Sequence, residues 1–249
     1  MSVFANYSKY YNLLYKDKDY EAEAKYIETL IKKSSVNAKT ILELGCGTGK
    51  HAKILSGEGF KVHGIDLSET MLNEAYKLQN ENLTFEQGDV RTFSTDNMFD
   101  VVISLFHVIN YQITNEDLIS YFKTAHKHLK PGGVFIFDCW YGPAVLAERP
   151  ESRVKEIENS EIKVIRKAEP VLYPNKNAVD VNYDIEITDK KSGNIEKISE
   201  THKVRYLFKP EILMFMELCG FKYLNSEEWL TSKEPGFDTW GVCFACEKI

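Results

Sequence analysis

Apolar residues come in short runs separated by helical periods over the first 140 positions. Ile41, Leu42 and Leu44 form a brief apolar run, as a strand buried on both faces should. Lys50 to Glu58 then reads as helix, and Lys61 to Leu67 as a second strand. Ser68 is a fitting N-cap for a helix reaching Gln79, with Met71, Leu72 and Ala75 apolar. Leu83 to Asp89 is a third strand. Phe99 to Leu105 is a fourth, continuously apolar and therefore central. Asn115 to Leu129 is a helix stopped by Lys130-Pro-Gly-Gly133, and Val134 to Asp138 a fifth strand. Strands alternating with helices over short loops predict a doubly wound, mostly parallel sheet of seven strands with right-handed crossovers.

The texture changes near Arg153. From there to Leu207 residues alternate, most strictly over Val179 to Ile187, and turns fall at Tyr173–Asn177 and Asp189–Asn194. Three or four antiparallel strands are expected. The α/β pattern resumes with a helix at Pro210–Cys219 and strands at Phe221–Asn225 and Gly241–Glu247. The chain thus divides into an α/β domain, 1–150 and 208–249, and an antiparallel insertion, 151–207, placed to cover a substrate or pair two subunits. Upstream, Asp19 to Lys33 is helical, with Ala22, Tyr26, Ile27, Leu30 and Ile31 on one face. Up to and into its start run five tyrosines in 14 residues, Tyr7 to Tyr20. They either pack an N-terminal helix on the domain or form an aromatic lid.

The chemistry is concentrated between the first strand and its helix. Glu43-Leu-Gly-Cys-Gly-Thr-Gly49 gives strand, glycine turn, helix, which brings bare N–H groups and a helix N-terminus to a ligand. Asp66 follows about 20 residues later, the spacing of a ribose-binding carboxylate. A dinucleotide frame needs a third glycine where Lys50 stands, which disfavours a dehydrogenase. Instead the frame is G-x-G-x-G. It resembles motif I of the class I S-adenosylmethionine-dependent methyltransferases. So do Gly64-Ile-Asp-Leu-Ser68, Gln87-Gly-Asp-Val-Arg91 and Leu129-Lys-Pro-Gly-Gly133, and together the likeness spans residues 40 to 140.

That resemblance implies S-adenosylmethionine as cofactor and no metal. Asp66 would hold the ribose hydroxyls, Leu67 would lie against adenine, and Asp89 with the Val90 amide would read the adenine edge. The turn from Gly45 through Gly47 to Gly49 would approach the methionine part, with Tyr11, Glu43 and Leu105 completing the cofactor site. A narrower likeness extends over the chain. Tyr11-Asn-Leu-Leu-Tyr15, Lys18-Asp-Tyr-Glu-Ala-Glu-Ala24, Trp140-Tyr-Gly-Pro143 and Glu200-Thr-His-Lys-Val-Arg-Tyr-Leu-Phe208 resemble N,N-dimethyltransferases of nucleotide-linked amino sugars. Asn12 stands where that family usually has an acid, and Phe106-His-Val-Ile-Asn-Tyr111 replaces a more serine-rich loop.

Methyl transfer from a sulfonium is an in-line displacement, so alignment and exclusion of water matter most, with a base for an amine proton. His107 and Tyr111, at the exit of strand four, are the catalytic candidates. Trp140, Tyr141, His202 and Arg205 are acceptor-side candidates; the last two lie on one strand with opposite facing, so at most one lines a given cavity. Arg205 would otherwise form a salt bridge within the sheet. His126 and His128 are expected at the surface. Rival functions are a non-catalytic protein that binds the same cofactor and a methyltransferase for a hydroxyl or protein acceptor.

Charge and cysteine content narrow the setting. The net charge of −6 and pI of about 5.6 argue against nucleic acid as partner. Cys243 and Cys246, three apart on a strand, face opposite sides and read as buried small apolar residues, like the other three cysteines. Met1 to Lys9 is polar and no 18-residue apolar run occurs, so neither leader nor membrane span is read, and a reducing, cytoplasmic home is expected. A small-molecule acceptor and a homodimer complete the expectation.

Overall fold

A computed structural model describes residues 8–34 and 37–249. Of the tyrosine-rich stretch, Tyr7 lies outside the described residues.

The main sheet has seven strands: β1 (Thr40–Leu44), β2 (Lys61–Asp66), β3 (Leu83–Gln87), β4 (Phe99–Ser104), β5 (Leu129–Trp140), β10 (Phe221–Glu228) and β11 (Gly241–Lys248). Their order is β10-β11-β5-β4-β1-β2-β3. β11 runs antiparallel to both neighbours, and the rest of the sheet is parallel. Every central strand is apolar on both sides because helices cover both faces. On one side, α2 (Tyr20–Ser34) and α3 (Lys50–Gly57) pack Ile27, Ile31 and Leu55 over Ile41, Val101 and Ile136. On the other, α5 (Asn115–His128) and α7 (Lys209–Leu218) pack Phe122 and Phe215 over Val102, Phe135 and Phe244. Cys243 falls in the first layer and Cys246 in the second.

Three local readings need correction. The buried face of α2 carries Ala24, Ile27, Leu30 and Ile31 together with Glu23 and Glu28; Ala22 is exposed in the first turn, where its amide donates to Asp19 Oδ1. Strand β5 begins at Leu129, paired with Phe99; Val134 pairs with Val101, so Lys130–Gly133 loops out as a bulge without ending the strand. His128 is fully buried, not at the surface. Its Nδ1 lies 2.8 Å from the Thr124 carbonyl, and its Nε2 accepts from the Thr95 amide, so the last turn of α5 docks under the loop before β4. His126 is half-buried with its ring edge-on to Phe221.

The insertion is a four-stranded antiparallel sheet in sequential order: β6 (Arg153–Glu158), β7 (Ile162–Tyr173), β8 (Ala178–Asp189) and β9 (Ile195–Arg205). Its inner face buries Ile157, Val164, Ile185 and Ile187 against Tyr10 and Leu14 of α1 (Ser8–Leu14) and Met71 of α4 (Glu69–Ala75). Ser68 caps α4 as expected, accepting from the Met71 amide. Helix α1 therefore lies between the inserted sheet and the glycine-turn end of the main sheet, and its tyrosines serve as both packing and wall. A short helix, α6 (Gly142–Glu148), follows β5 and leads into the insertion. Among the described residues no helix is long and apolar enough to cross a membrane.

Candidate active site

A cavity of about 620 Å³ opens at the carboxyl ends of the parallel strands, where open α/β sheets bind ligands. Its floor comes from the strand tips and its cover from α1 and the insertion.

The floor is built around one carboxylate. Asp66 ends β2, and its Oδ2 accepts from the Gly47 amide while Oδ1 accepts from the Ser68 amide, each at 2.8 Å. The Gly45 and Cys46 amides in turn donate to the Ile65 carbonyl at 2.8 and 2.9 Å. The glycine turn and the acid are thus one hydrogen-bonded unit. Burial raises the Asp66 pKa, against the lowering effect of the Ser68, Gly47 and Leu67 amides. Leu67, beside it, is 57% exposed and lines the cavity, an apolar surface left bare next to an acceptor of hydroxyl hydrogens.

Asp89 and Val90 line the neighbouring wall. Arg91 grips both Asp89 oxygens, with Nη2 2.6 Å from Oδ2 and Nε 2.9 Å from Oδ1, and reaches Asp117 at 2.9 Å. This pairing, opposed by partial burial, holds the Asp89 carboxyl below its usual range.

Glu43 lies beneath the turn, 1% exposed. Its Oε1 is 3.9 Å from His51 Nδ1, and its Oε2 has no hydrogen-bond partner among the described residues. Burial, and then repulsion from Asp66, push its pKa up to about 8. An unpartnered buried carboxyl oxygen facing a cavity calls for a cationic or donor group from a ligand. Two features therefore suit the nucleoside and ammonium ends of S-adenosylmethionine: this orphaned oxygen, and the space over Gly47, where an added Cβ would meet nothing within 4 Å. Tyr11 and Leu105 complete this half of the wall.

The other half is set by the exit of β4. Phe106 and His107 both adopt left-handed backbone, φ 65° and 66°, uncommon for side-chain-bearing residues and concentrated at functional sites. The bend brings His107 Nδ1 to 2.6 Å from Asp138 Oδ2, and the His107 amide donates to Oδ1 at 3.3 Å. Asp138 lies near the end of the buried run of β5 and is 1% exposed. Burial raises its pKa, but the charge and hydrogen bonding of His107 outweigh it, so the carboxyl sits below its usual value. A carboxylate only accepts, so its place beside Nδ1 favours the imidazole tautomer with its hydrogen on that nitrogen and Nε2 bare.

Tyr111 follows on the same turn, with its hydroxyl 2.8 Å from His202 Nδ1. Both line the cavity, as does Trp140, whose ring meets His107 edge-on at 6.3 Å.

Two sequence candidates stand elsewhere. Arg205 points from the opposite face of β9 and binds Glu211, the Asn115 side chain at 2.9 Å and the Ile113 carbonyl; it is a structural tie. Tyr141 caps α6 and packs on the α5–α7 core. Neither is among the cavity residues.

Asp138 escaped sequence reading, although an acid closing an apolar strand was a visible signal. His51, which pairs with Glu23 Oε2 at 2.7 Å, and Tyr183, which reaches the cavity from β8, left no local signal.

Residues 41–133 match the methyltransferase-domain family. The chain is 36% identical to a dTDP-3-amino-3,4,6-trideoxy-alpha-D-glucopyranose N,N-dimethyltransferase from Streptomyces venezuelae, over 55% of this chain and 59% of that one. It spans less than two thirds of that relative. A putative methyltransferase of Bacillus subtilis is 26% identical over 99% of this chain and 97% of its own. Among solved structures, an S-adenosylmethionine-dependent methyltransferase from Clostridium acetobutylicum superposes with a TM-score of 0.82, at 23% identity over 96% of both chains. The fold is thereby shared over 96% of both chains, insertion included, and residues 41–133 within it match a methyltransferase domain.

Proposed function

We propose that the protein methylates the amino group of a nucleotide-linked deoxysugar, in two rounds. The cofactor supplies a methyl group already activated as a sulfonium substituent. Asp66 and Leu67 hold the nucleoside, Asp89 and Val90 its base, and Glu43 with the Gly45–Gly47 turn the amino-acid end. The observation that carries the acceptor reading is the His107–Asp138 pair at the cavity wall. An amine reaches neutral solution as an ammonium ion and has no lone pair until a base takes a proton. His107 Nε2 takes it, and Asp138 stabilises the imidazolium that results. Tyr15, Trp140 and Tyr183 enclose the remaining volume, excluding water and offering faces to a sugar.

The amino-sugar class comes from the name of the Streptomyces relative; the Bacillus relative, aligned over 97% of its length, is named without an acceptor. A cytoplasmic setting belongs to the proposal, supported by five cysteines that are all buried and free. So does the absence of a nucleic-acid partner, supported by the net charge of −6. The edge strands β6 and β9 suit pairing of two copies, which sedimentation of the purified protein tests.

The test is incubation with S-adenosylmethionine and thymidine-diphosphate-linked 3-amino and 4-amino deoxyhexoses beside their hydroxyl counterparts. Mass spectra of the amino sugars should gain one and then two methyl groups. Methylation of the hydroxyl compounds alone would overturn the amine reading and leave methyl transfer standing.

A further inference from the structure

From the turn that follows His107, a second line of polar groups runs into the insertion. The Tyr111 hydroxyl is 2.8 Å from His202 Nδ1, and His202 Nε2 is 3.2 Å from Glu200 Oε2. His202 and Glu200 are two apart on β9 and so share its inner face. The His202 side chain is 5% exposed and that of Glu200 11%. The line begins at the cavity wall and ends at solvent.

The chemistry of the partners fixes the hydrogens. A carboxylate only accepts, so His202 Nε2 carries the hydrogen and donates to Glu200; Nδ1 is then bare and accepts from the Tyr111 hydroxyl. Other ionisable groups near this line are Arg166 on β7, Tyr183 on β8, Tyr10 on α1 and Tyr15 in the turn after it. Burial first, and then Arg166, push the His202 pKa down to about 4. Burial also raises Tyr111 and Glu200. His202 therefore stays neutral and is unsuited to be a base. A neutral imidazole can still pass a proton, taking one at Nδ1 as it gives one up at Nε2.

We propose that Tyr111, His202 and Glu200 form a proton relay that drains the amine after the first methyl transfer. The proposal rests on the amine reading above. Methylation leaves a cationic secondary ammonium. Its N–H bond breaks, the nitrogen keeps the electron pair, and the proton binds the Tyr111 oxygen. The phenol proton moves to His202 Nδ1, and the Nε2 proton moves to Glu200. A positive ammonium and a negative carboxylate become a neutral amine and a neutral acid, which then yields its proton to water. His202 ends as the other neutral tautomer and recovers by exchange with water once the site empties. In this division His107 frees the arriving ammonium, and the relay frees the monomethylated intermediate for its second methyl group. Only Tyr111 touches the substrate; His202 and Glu200 act through it.

Glu200→Gln keeps the size of the side chain and its ability to accept from His202, but the amide cannot take the proton. In this variant the first methylation should proceed at close to the wild-type rate. The second should slow about 100-fold, the lower end of what a proton-transfer group contributes, so that monomethyl product accumulates. Raising the pH should rescue the second step, because the intermediate then loses its proton to solvent. A defect in packing would slow both rounds alike and would not respond to pH. Nitrogen-15 NMR of the wild-type imidazoles gives an independent readout: His202 should stay neutral and Nε2-protonated from about pH 5 upward, as a pKa well below the ordinary value of about 6.5 requires. An unchanged ratio of mono- to dimethyl product in Glu200→Gln, or an Nδ1-protonated His202, overturns the relay. A wild type that methylates no amino sugar instead overturns the acceptor reading, and the NMR result still decides the wiring.

Discussion

Gly45 and Gly47 are two residues apart in one turn, yet the structure gives them different tasks, and an alanine at each separates them. Both have positive φ, 79° and 55°. A left-handed backbone costs a side-chain-bearing residue about 1–2 kcal/mol. At Gly45 the added Cβ would also stand 2.5 Å from Val108 Cγ2, on the turn that carries Tyr111. Overpacking of that kind adds about 1–3 kcal/mol. Gly45→Ala should therefore cost about 2–5 kcal/mol and Gly47→Ala about 1–2 kcal/mol. At about 2–4 °C per kcal/mol for a chain of this size, Gly47→Ala lowers Tm by about 2–8 °C, and Gly45→Ala by up to about 20 °C. The ligand response runs the other way. S-adenosylhomocysteine at about 100 times its Kd stabilises the wild type by about 2.7 kcal/mol, a rise of about 5–11 °C. The Gly47 Cβ would point into open cavity, so Gly47→Ala should fold and lose most of that rise. Scanning calorimetry with and without the ligand measures both quantities. A full ligand shift in Gly47→Ala would show that the space above this residue is not ligand volume. Equal stability of the two variants would show that Val108 simply moves aside.

Three further outcomes can be measured on the same protein. Asp138→Asn should lower turnover about 10²–10⁴-fold while S-adenosylhomocysteine affinity stays within about twofold, because the carboxylate backs the base and does not touch the cofactor. Because the folded pKa of Asp138 is depressed, its ionised form adds stability above the unfolded value of about 3.9 that is lost as pH falls through the folded value; Asp138→Asn should flatten that acid limb of a Tm-against-pH curve. Glu43 has the opposite sign: with a folded pKa of about 8, it keeps a proton that the unfolded chain has already lost, so stability of the ligand-free protein falls as pH rises between the unfolded value and pH 8. Glu43→Gln removes that slope, and an unchanged slope refutes the assignment. Arg205→Ala breaks ties to Glu211, Asn115 and Ile113 and should cost about 1–3 kcal/mol of stability, with the activity of the folded fraction unchanged; a selective rise in acceptor KM would return Arg205 to the site.

The two halves of the site differ in how far they were legible, and the reason is physical. The cofactor half hangs on the tips of three adjacent strands, β1, β2 and β3, and on hydrogen bonds between neighbours in sequence. Asp66 accepts from its own Ser68 amide, and Gly47 is only 19 residues away. Such contacts follow from backbone conformation, and backbone conformation leaves a pattern of glycines and acids at fixed spacing. The half proposed for the acceptor joins Tyr15, His107, Asp138, Tyr183 and His202, which come together only through the packing of the inserted sheet on α1. Alternation along β9 told that His202 and Arg205 oppose each other, but the side facing the cavity is decided by what packs on the sheet. Similarly, the charge of Asp138 and the pair of histidines at the end of α5 were visible; that one carboxylate backs His107 across 31 residues, and that His128 is buried under Thr95, are consequences of tertiary packing.

That division bears on where specificity resides. A turn written into local sequence can be kept unchanged while the cover above it is rebuilt, since the cover is a separate hydrogen-bonded sheet attached through β5 and α7. The cofactor grip and the acceptor choice are then carried by different stretches of chain. If so, the residues that choose the acceptor are those the insertion contributes, Tyr183 and His202, with Tyr111 linking them to the strand tip. Substituting Tyr183 by Phe removes one hydroxyl from the cover and leaves every cofactor contact in place. Its effect should appear in acceptor KM and not in S-adenosylmethionine KM. An equal change in both would mean that cover and floor bind as one unit.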